Sequence, residues 1–184
     1  FGHMPHPRRV QGSAGRLGYG KTSNVGDDES PASVGDVPLG GGALAITAGL
    51  EHTCALLSGG KVRCWGVGVK GQLGYGVNSK SIVGDDEAPS AAGDVPVGAS
   101  VLAIVAGGAH TCAITSGGAV RCWGYGLFGA IGYANTRTIG DDEPASTGGN
   151  VNIGSSVVEL SLGLNHSCAR LGSGAVRCWG YGAN

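Results

Sequence analysis

Three times along 184 residues the string Val-Arg-Cys-Trp-Gly returns, closing at Gly66, Gly124 and Gly180. Other elements return with it. His52, His110 and His166 open His-Thr-Cys, His-Thr-Cys and His-Ser-Cys. Gly-Tyr recurs as Gly18-Tyr19, Gly74-Tyr75 and Gly132-Tyr133. The steps are 56 or 58 residues, and each first-to-third distance is 114, so the mean period is 57. A chain with three registered copies of one unit is a repeat architecture, in which a unit buries its apolar face against its neighbours.

Within one period the pattern is β. In the middle copy an apolar strand is expected at Ser100–Ala106, a second at His110–Ile114 and a third at Ala119–Trp123. Gly107-Gly108 and Ser116-Gly117-Gly118 turn the chain between them, since glycine supplies the positive φ angles of tight hairpins. The composition agrees. Glycine is 38 of 184 residues, roughly three times the usual share. Glycine costs about 1 kcal/mol per helical position relative to alanine, which excludes a long-helix protein. Hydrophobic residues at 41% and charged residues at 14% exclude a disordered chain, and glycine without a strict triplet period excludes collagen. Three or four short strands per period read as one propeller blade or solenoid rung.

The cysteines test the hairpin. Cys54/Cys64 centre on Gly59, Cys112/Cys122 on Gly117, and Cys168/Cys178 on Ser173 with glycine on both sides. Opposed residues of a non-hydrogen-bonded antiparallel pair lie about 4.5 Å apart at Cα, within disulfide reach. Three intra-blade disulfides are therefore expected, and with them an oxidising, secreted or cell-surface location. The competing reading is a metal site in which the adjacent histidine joins the cysteines.

Charge is placed as regularly as sulfur. Nine of 13 acidic residues lie in Asp27-Asp28-Glu29, Asp85-Asp86-Glu87 and Asp141-Asp142-Glu143. Such loops suit local backbone hydrogen bonds in turns, a calcium ion held with loop carbonyls, or a basic partner. No resident cofactor is expected, calcium being the one candidate. His52, His110 and His166 are expected to fix turns by bonding loop carbonyls. Trp65, Trp123 and Trp179 are expected to pack between blades. Arg63, Arg121 and Arg177 share the Trp face and could pair with an acidic loop of an adjacent blade. The few departures from symmetry are Glu51 against Ala109 and Asn165, Val67 against Tyr125 and Tyr181, and Gln72 against Arg16 and Ala130. The net charge of −1 leaves no basic stripe for nucleic acid, and no run of 18 apolar residues offers a membrane span. No nucleophile elbow, HExxH or phosphate loop is present, so no enzyme is expected.

The string His110-Thr-Cys-Ala-Ile-Thr-Ser-Gly-Gly-Ala-Val-Arg-Cys-Trp-Gly, with Gly71-Gln72-Leu73-Gly74-Tyr75-Gly76 in the preceding copy, resembles the repeat of the regulator of chromosome condensation superfamily. The Gly-Gln-Leu-Gly element returns in altered form at Gly15–Gly18 and Gly129–Gly132. The resemblance runs from Gly15 to Asn184 and implies an all-β propeller. The hairpin cysteines look like a secreted bacterial branch. The family usually builds seven blades from slightly shorter repeats, and this chain departs on both counts. The resemblance also implies partner classes that include GTPase exchange, chromatin contact and enzyme inhibition; inhibition or capture of an extracellular protein fits the cysteines best.

The expected organisation is a leader over 1–14, opening on Phe1-Gly2-His3-Met4, which reads as an expression scar without a signal peptide. A three-repeat unit follows over 15–184, in repeats of about 15–72, 73–130 and 131–184. Three blades close no ring alone. Joining Asn184 to Gly15 restores the repeat spacing, so two copies are expected to close a six-bladed ring, the alternative being further repeats of a longer chain. The expected function is an extracellular protein–protein interaction scaffold; the alternative is a module for a small ligand, a glycan or a calcium-dependent partner.

Overall fold

The structure, a computed structural model, describes residues 14–76 and 81–183. Residues 1–13 of the expected leader lie outside the described residues. Among the described residues the regular structure is ten strands and a few 3-10 turns. Strands β1 (Ala43–Ala48), β2 (His52–Leu57), β3 (Lys61–Val67) and β4 (Ile82–Val83) make the first sheet, antiparallel and in chain order. Strands β5 (Val101–Ala106), β6 (His110–Thr115) and β7 (Val120–Gly124) make the second. Strands β8 (Val157–Leu162), β9 (His166–Leu171) and β10 (Val176–Gly180) make the third. Each sheet is one blade, and the strands expected in the middle copy shift by a single residue at their ends. A lone bridge, Gly124 to Ile139, stands where Gly66 pairs with Val83 in blade 1.

The hairpin registers follow from the turns. Cys54 opposes Cys64, Cys112 opposes Cys122, and Cys168 opposes Cys178. The Cα atoms are 4.0, 4.1 and 4.1 Å apart, and all six cysteines are joined as disulfides. The thiolates a metal would need are therefore consumed, which removes the cysteine–histidine metal reading. Each first strand carries a bulge at its second residue. The bulge re-aims one side chain, leaving Leu44, Leu102 and Val158 exposed in all three blades.

Alternation gives every blade two apolar faces. One face, here called trailing, holds Cys54, Leu56, Val62 and Cys64 in blade 1, which meet blade 2. The other, leading, holds Ile104 and Ala106 in blade 2, which meet blade 1. The core is the stack of these faces, with Val62, Val120, Trp65, Trp123, Leu73 and Ile131 at 2% exposure or less. Tyr75 and Tyr133 cap the outer edge of β3 and β7. The Tyr75 hydroxyl lies 3.1 Å from Cys64 N and 3.0 Å from Cys64 O, as an added strand would. Tyr133 repeats this at Cys122. Burial pushes the Tyr75 phenol up to about 12. The acidic loops run into 3-10 turns at Pro31–Val34, Pro89–Ala92 and Ala145–Gly148. No described helix is long and apolar enough to cross a membrane.

Candidate functional site: the blade junctions

The repeated polar residues meet at the junctions between blades. There the backbone carbonyl of Gln72, from the connection after blade 1, accepts two hydrogen bonds from blade 2. One comes from Trp123 Nε1 at 3.0 Å and the other from Thr111 Oγ1 at 3.0 Å. The arrangement returns at Ala130 O, which receives Trp179 Nε1 and Ser167 Oγ at 3.0 and 2.9 Å. It occurs also at Arg16 O, with Trp65 Nε1 and Thr53 Oγ1 at 2.9 and 3.2 Å. A carbonyl oxygen has two lone pairs, so both indole and hydroxyl are satisfied. The residue supplying it acts through its backbone, which is why Arg, Gln and Ala serve equally.

The glycine two residues later is required. At Gly74 the φ of +80° suits glycine, and an added Cβ would lie 2.7 Å from the Trp123 indole nitrogen. The element Gly15–Gly18 therefore seats on Trp65 of the first described blade, as 71–74 seats on Trp123 of the second. Each such element belongs to one repeat in sequence and to the next blade in contact.

The histidines bridge in the same direction. His52 Nε2 lies 2.9 Å from Thr111 Oγ1, and His110 Nε2 lies 2.9 Å from Ser167 Oγ. Each hydroxyl spends its one proton on a carbonyl, so it accepts from the imidazole, and the bonding network assigns the Nε2–H tautomer. The bond thus goes to a hydroxyl of the next blade, where a loop carbonyl was expected. His52 Nδ1 is buried without a partner, which suits a neutral ring. Burial first, and His110 second, lower the His52 pKa to about 4; burial and then His166 lower that of His110 to about 4. Gly107 must be glycine because the His110 ring lies 2.4 Å from where its Cβ would stand.

The arginines do not take the acidic loops. Arg63 Nη1 donates to Leu39 O, and Arg63 Nε reaches Asp94 Oδ1 at 3.2 Å. Arg121 Nη1 donates to Val97 O, and its Nε lies 3.0 Å from Asn150 Oδ1. Each guanidinium thus ties the loop ahead of its own blade to the loop leading into the next. Arg177 Nη1 donates to Ile153 O, the first of these two bonds. The reason is reach: residues 94 and 150 adjoin Val95 and Val151, whose N–H groups donate to Val62 O and Val120 O, while the acidic tripeptides sit earlier in the same loops.

In each of those tripeptides three carboxylate oxygens lie within 4.8 Å of one another. Glu143 is pushed up to about 7, by burial first and by Asp142 next, and Arg137 lies 3.8 Å from it. The departures from symmetry are local contacts. Glu51 forms an ion pair with Arg16 at 2.7 Å, Lys70 lies over the Tyr125 ring, and Phe128 packs on Tyr181. The turns after β1, β5 and β8 converge on one shallow depression of about 370 Å³, walled by Ala, Gly and Leu, including Leu50 and Leu164. Sequence reasoning missed the tyrosine caps, Thr53, Thr111 and Ser167; their place beside each histidine was the available signal.

Comparison with known proteins gives these junctions a context. The model of the regulator of chromosome condensation (RCC1) repeat matches residues 44–72, 101–130 and 157–184. The ultraviolet-B receptor UVR8 of Arabidopsis thaliana is 32% identical over 77% of this chain and 30% of its own length. The human E3 ubiquitin-protein ligase HERC2 is 32% identical over 68% of this chain and 2% of its own length. The chain thus spans less than a third of these relatives. Among solved structures, human WBSCR16 superimposes with a TM-score of 0.63 at 20% identity, over 77% of this chain and 34% of that one. Prp20p of Saccharomyces cerevisiae does so with a TM-score of 0.59 at 15% identity, over 94% and 39%. Three registered repeats folded as three successive propeller blades make this chain a member of the RCC1 repeat family.

Proposed function

We propose that the chain is an extracellular protein–protein interaction scaffold, of the secreted bacterial type, whose loops are displayed on a six-bladed ring of two copies. The observation that carries the assembly is unequal burial at equivalent positions. Ile46 of blade 1 is 68% exposed, whereas Ile104 and Leu160 are 7% and 8%. Val176 of blade 3 is 63% exposed, whereas Val62 and Val120 are 1%. Apolar faces buried at two junctions inside the chain are bare at its two outer sides, and such faces mark contact surfaces.

Protein binding is supported by the family. Yeast RCC1 (Prp20) was solved bound to Kap60, and the Prp20p structure was described with its binding to Gsp1p and histones. Three disulfides favour an oxidising compartment, so an extracellular protein is the partner class here. Light scattering tests the ring: the expected mass is twice 18.1 kDa, and a folded species of 18.1 kDa at high concentration overturns it. Thiol counting on unreduced protein tests the compartment. No free thiol is expected, and six would refute the assignment of location.

A further inference from the structure

We propose that the two copies of that ring are sealed by two cross-copy contacts, Arg177 to Asp36 and His166 to Thr53, which continue the internal junctions. The inference rests on the ring reading and names the surface that makes it.

The internal junctions are the template. At the first, Arg63 Nε meets Asp94 and His52 meets Thr111. At the second, Arg121 Nε meets Asn150 and His110 meets Ser167. Backbone bonds accompany them: Val95 N to Val62 O and Val101 N to Gly60 O at the first, Val151 N to Val120 O and Val157 N to Gly118 O at the second. Advancing the earlier blade's side of each junction by one more repeat gives Arg177, His166, Val176 O and Gly174 O on blade 3. The matching residues one repeat before Asp94, Thr111, Val95 and Val101 are Asp36, Thr53, Val37 and Ala43, all in blade 1 or the loop leading into it.

The groups are placed for this. His166 is exposed on the trailing face of blade 3, Arg177 is exposed on its edge strand β10, and Asp36 is exposed ahead of blade 1. Thr53 Oγ1 already donates to Arg16 O, so its lone pairs face outward as acceptors, as those of Thr111 do toward His52. Arg177 is already oriented by its bond to Ile153 O. Blade 3 keeps the apolar Val176 and Cys178 at this face, and blade 1 offers Ile46 and Ala48 against them. One position differs. Arg170 stands where Leu56 and Ile114 are buried, and it is neutralised within its own blade by Glu159 at 2.7 Å. The seam is therefore a weaker copy of the internal junction. It is heterologous, and two copies of it close a two-fold ring.

Charge exchange tests the seam. In a ring of two copies every subunit contributes residue 177 to one seam and residue 36 to the other. Arg177→Asp alone sets two aspartates face to face at both seams, and Asp36→Arg alone sets two arginines. Each variant is expected to dissociate toward 18.1 kDa, with affinity weakened at least about tenfold. An equal mixture restores an opposite-charge pair at both seams and is expected to return to twice that mass. Recovery on mixing also excludes misfolding as the cause of dissociation. If both variants assemble as wild type, or the mixture stays dissociated, the seam is refuted while the ring reading stands. If the wild type itself never exceeds 18.1 kDa, the ring reading falls with it.

Discussion

Blade 2 and blade 3 carry nearly the same string from histidine to tryptophan and differ in environment. Blade 2 is sandwiched, and Cys112, Cys122 and Trp123 are all at 0% exposure. In blade 3 the corresponding Cys178 is exposed and Trp179 only half-buried, although Trp179 makes the same bond to a carbonyl of the preceding connection. The strand hydrogen bonds, the disulfide and the hairpin are therefore properties of a blade. Burial, and the pKa depression of the histidines, are properties of a junction. A unit of this kind forms its sheet by itself and obtains its core from neighbours.

The largest break in that comparison is at tryptophan. Trp123→Ala empties a fully enclosed site and is expected to cost on the order of 3–5 kcal/mol. Trp179→Ala, with one side already in water, is expected to cost clearly less in the isolated chain. Urea unfolding of both variants checks this, and equal losses would contradict the contrast between blades.

Acid acts on the two internal junctions. His52 and His110 have folded pKa values near 4 against an ordinary 6.5. Between these values the unfolded chain binds more protons, so stability is complete above pH 6.5 and falls as pH drops toward 4. The loss should reach a few kcal/mol and then level off. Unfolding midpoints across pH 4–7 measure it. His52→Asn with His110→Asn is expected to flatten the profile, whereas a slope surviving both changes would place its source elsewhere.

The smallest effect sharpens the contrast at the seam. Replacing Arg170 by Leu together with Glu159→Ala gives blade 3 the apolar trailing face of blades 1 and 2. Removing that ion pair from a contact surface is expected to tighten association by several-fold, on the order of 1 kcal/mol. Sedimentation equilibrium of the double variant reads it. Weaker association would mean that Arg170 itself contacts the second copy.

Repetition makes much of this chain legible in its sequence. Three copies of His, Cys, Trp and Gly-Tyr at steps of 56 or 58 residues fix three blades, because a unit repeated in register buries its apolar face by stacking on the next. The hairpin centres at Gly59, Gly117 and Ser173 fix the disulfide register, since antiparallel pairing is symmetric about its turn. A period states which residues are equivalent, and is silent on which unit each one touches. Only the tertiary structure decided that Arg63 reaches Asp94 instead of an acidic tripeptide, that His52 bonds Thr111 one blade onward, and that Gln72 serves through its carbonyl. Those contacts cross between repeats, where distance is set by how twisted sheets stack and not by spacing along the chain.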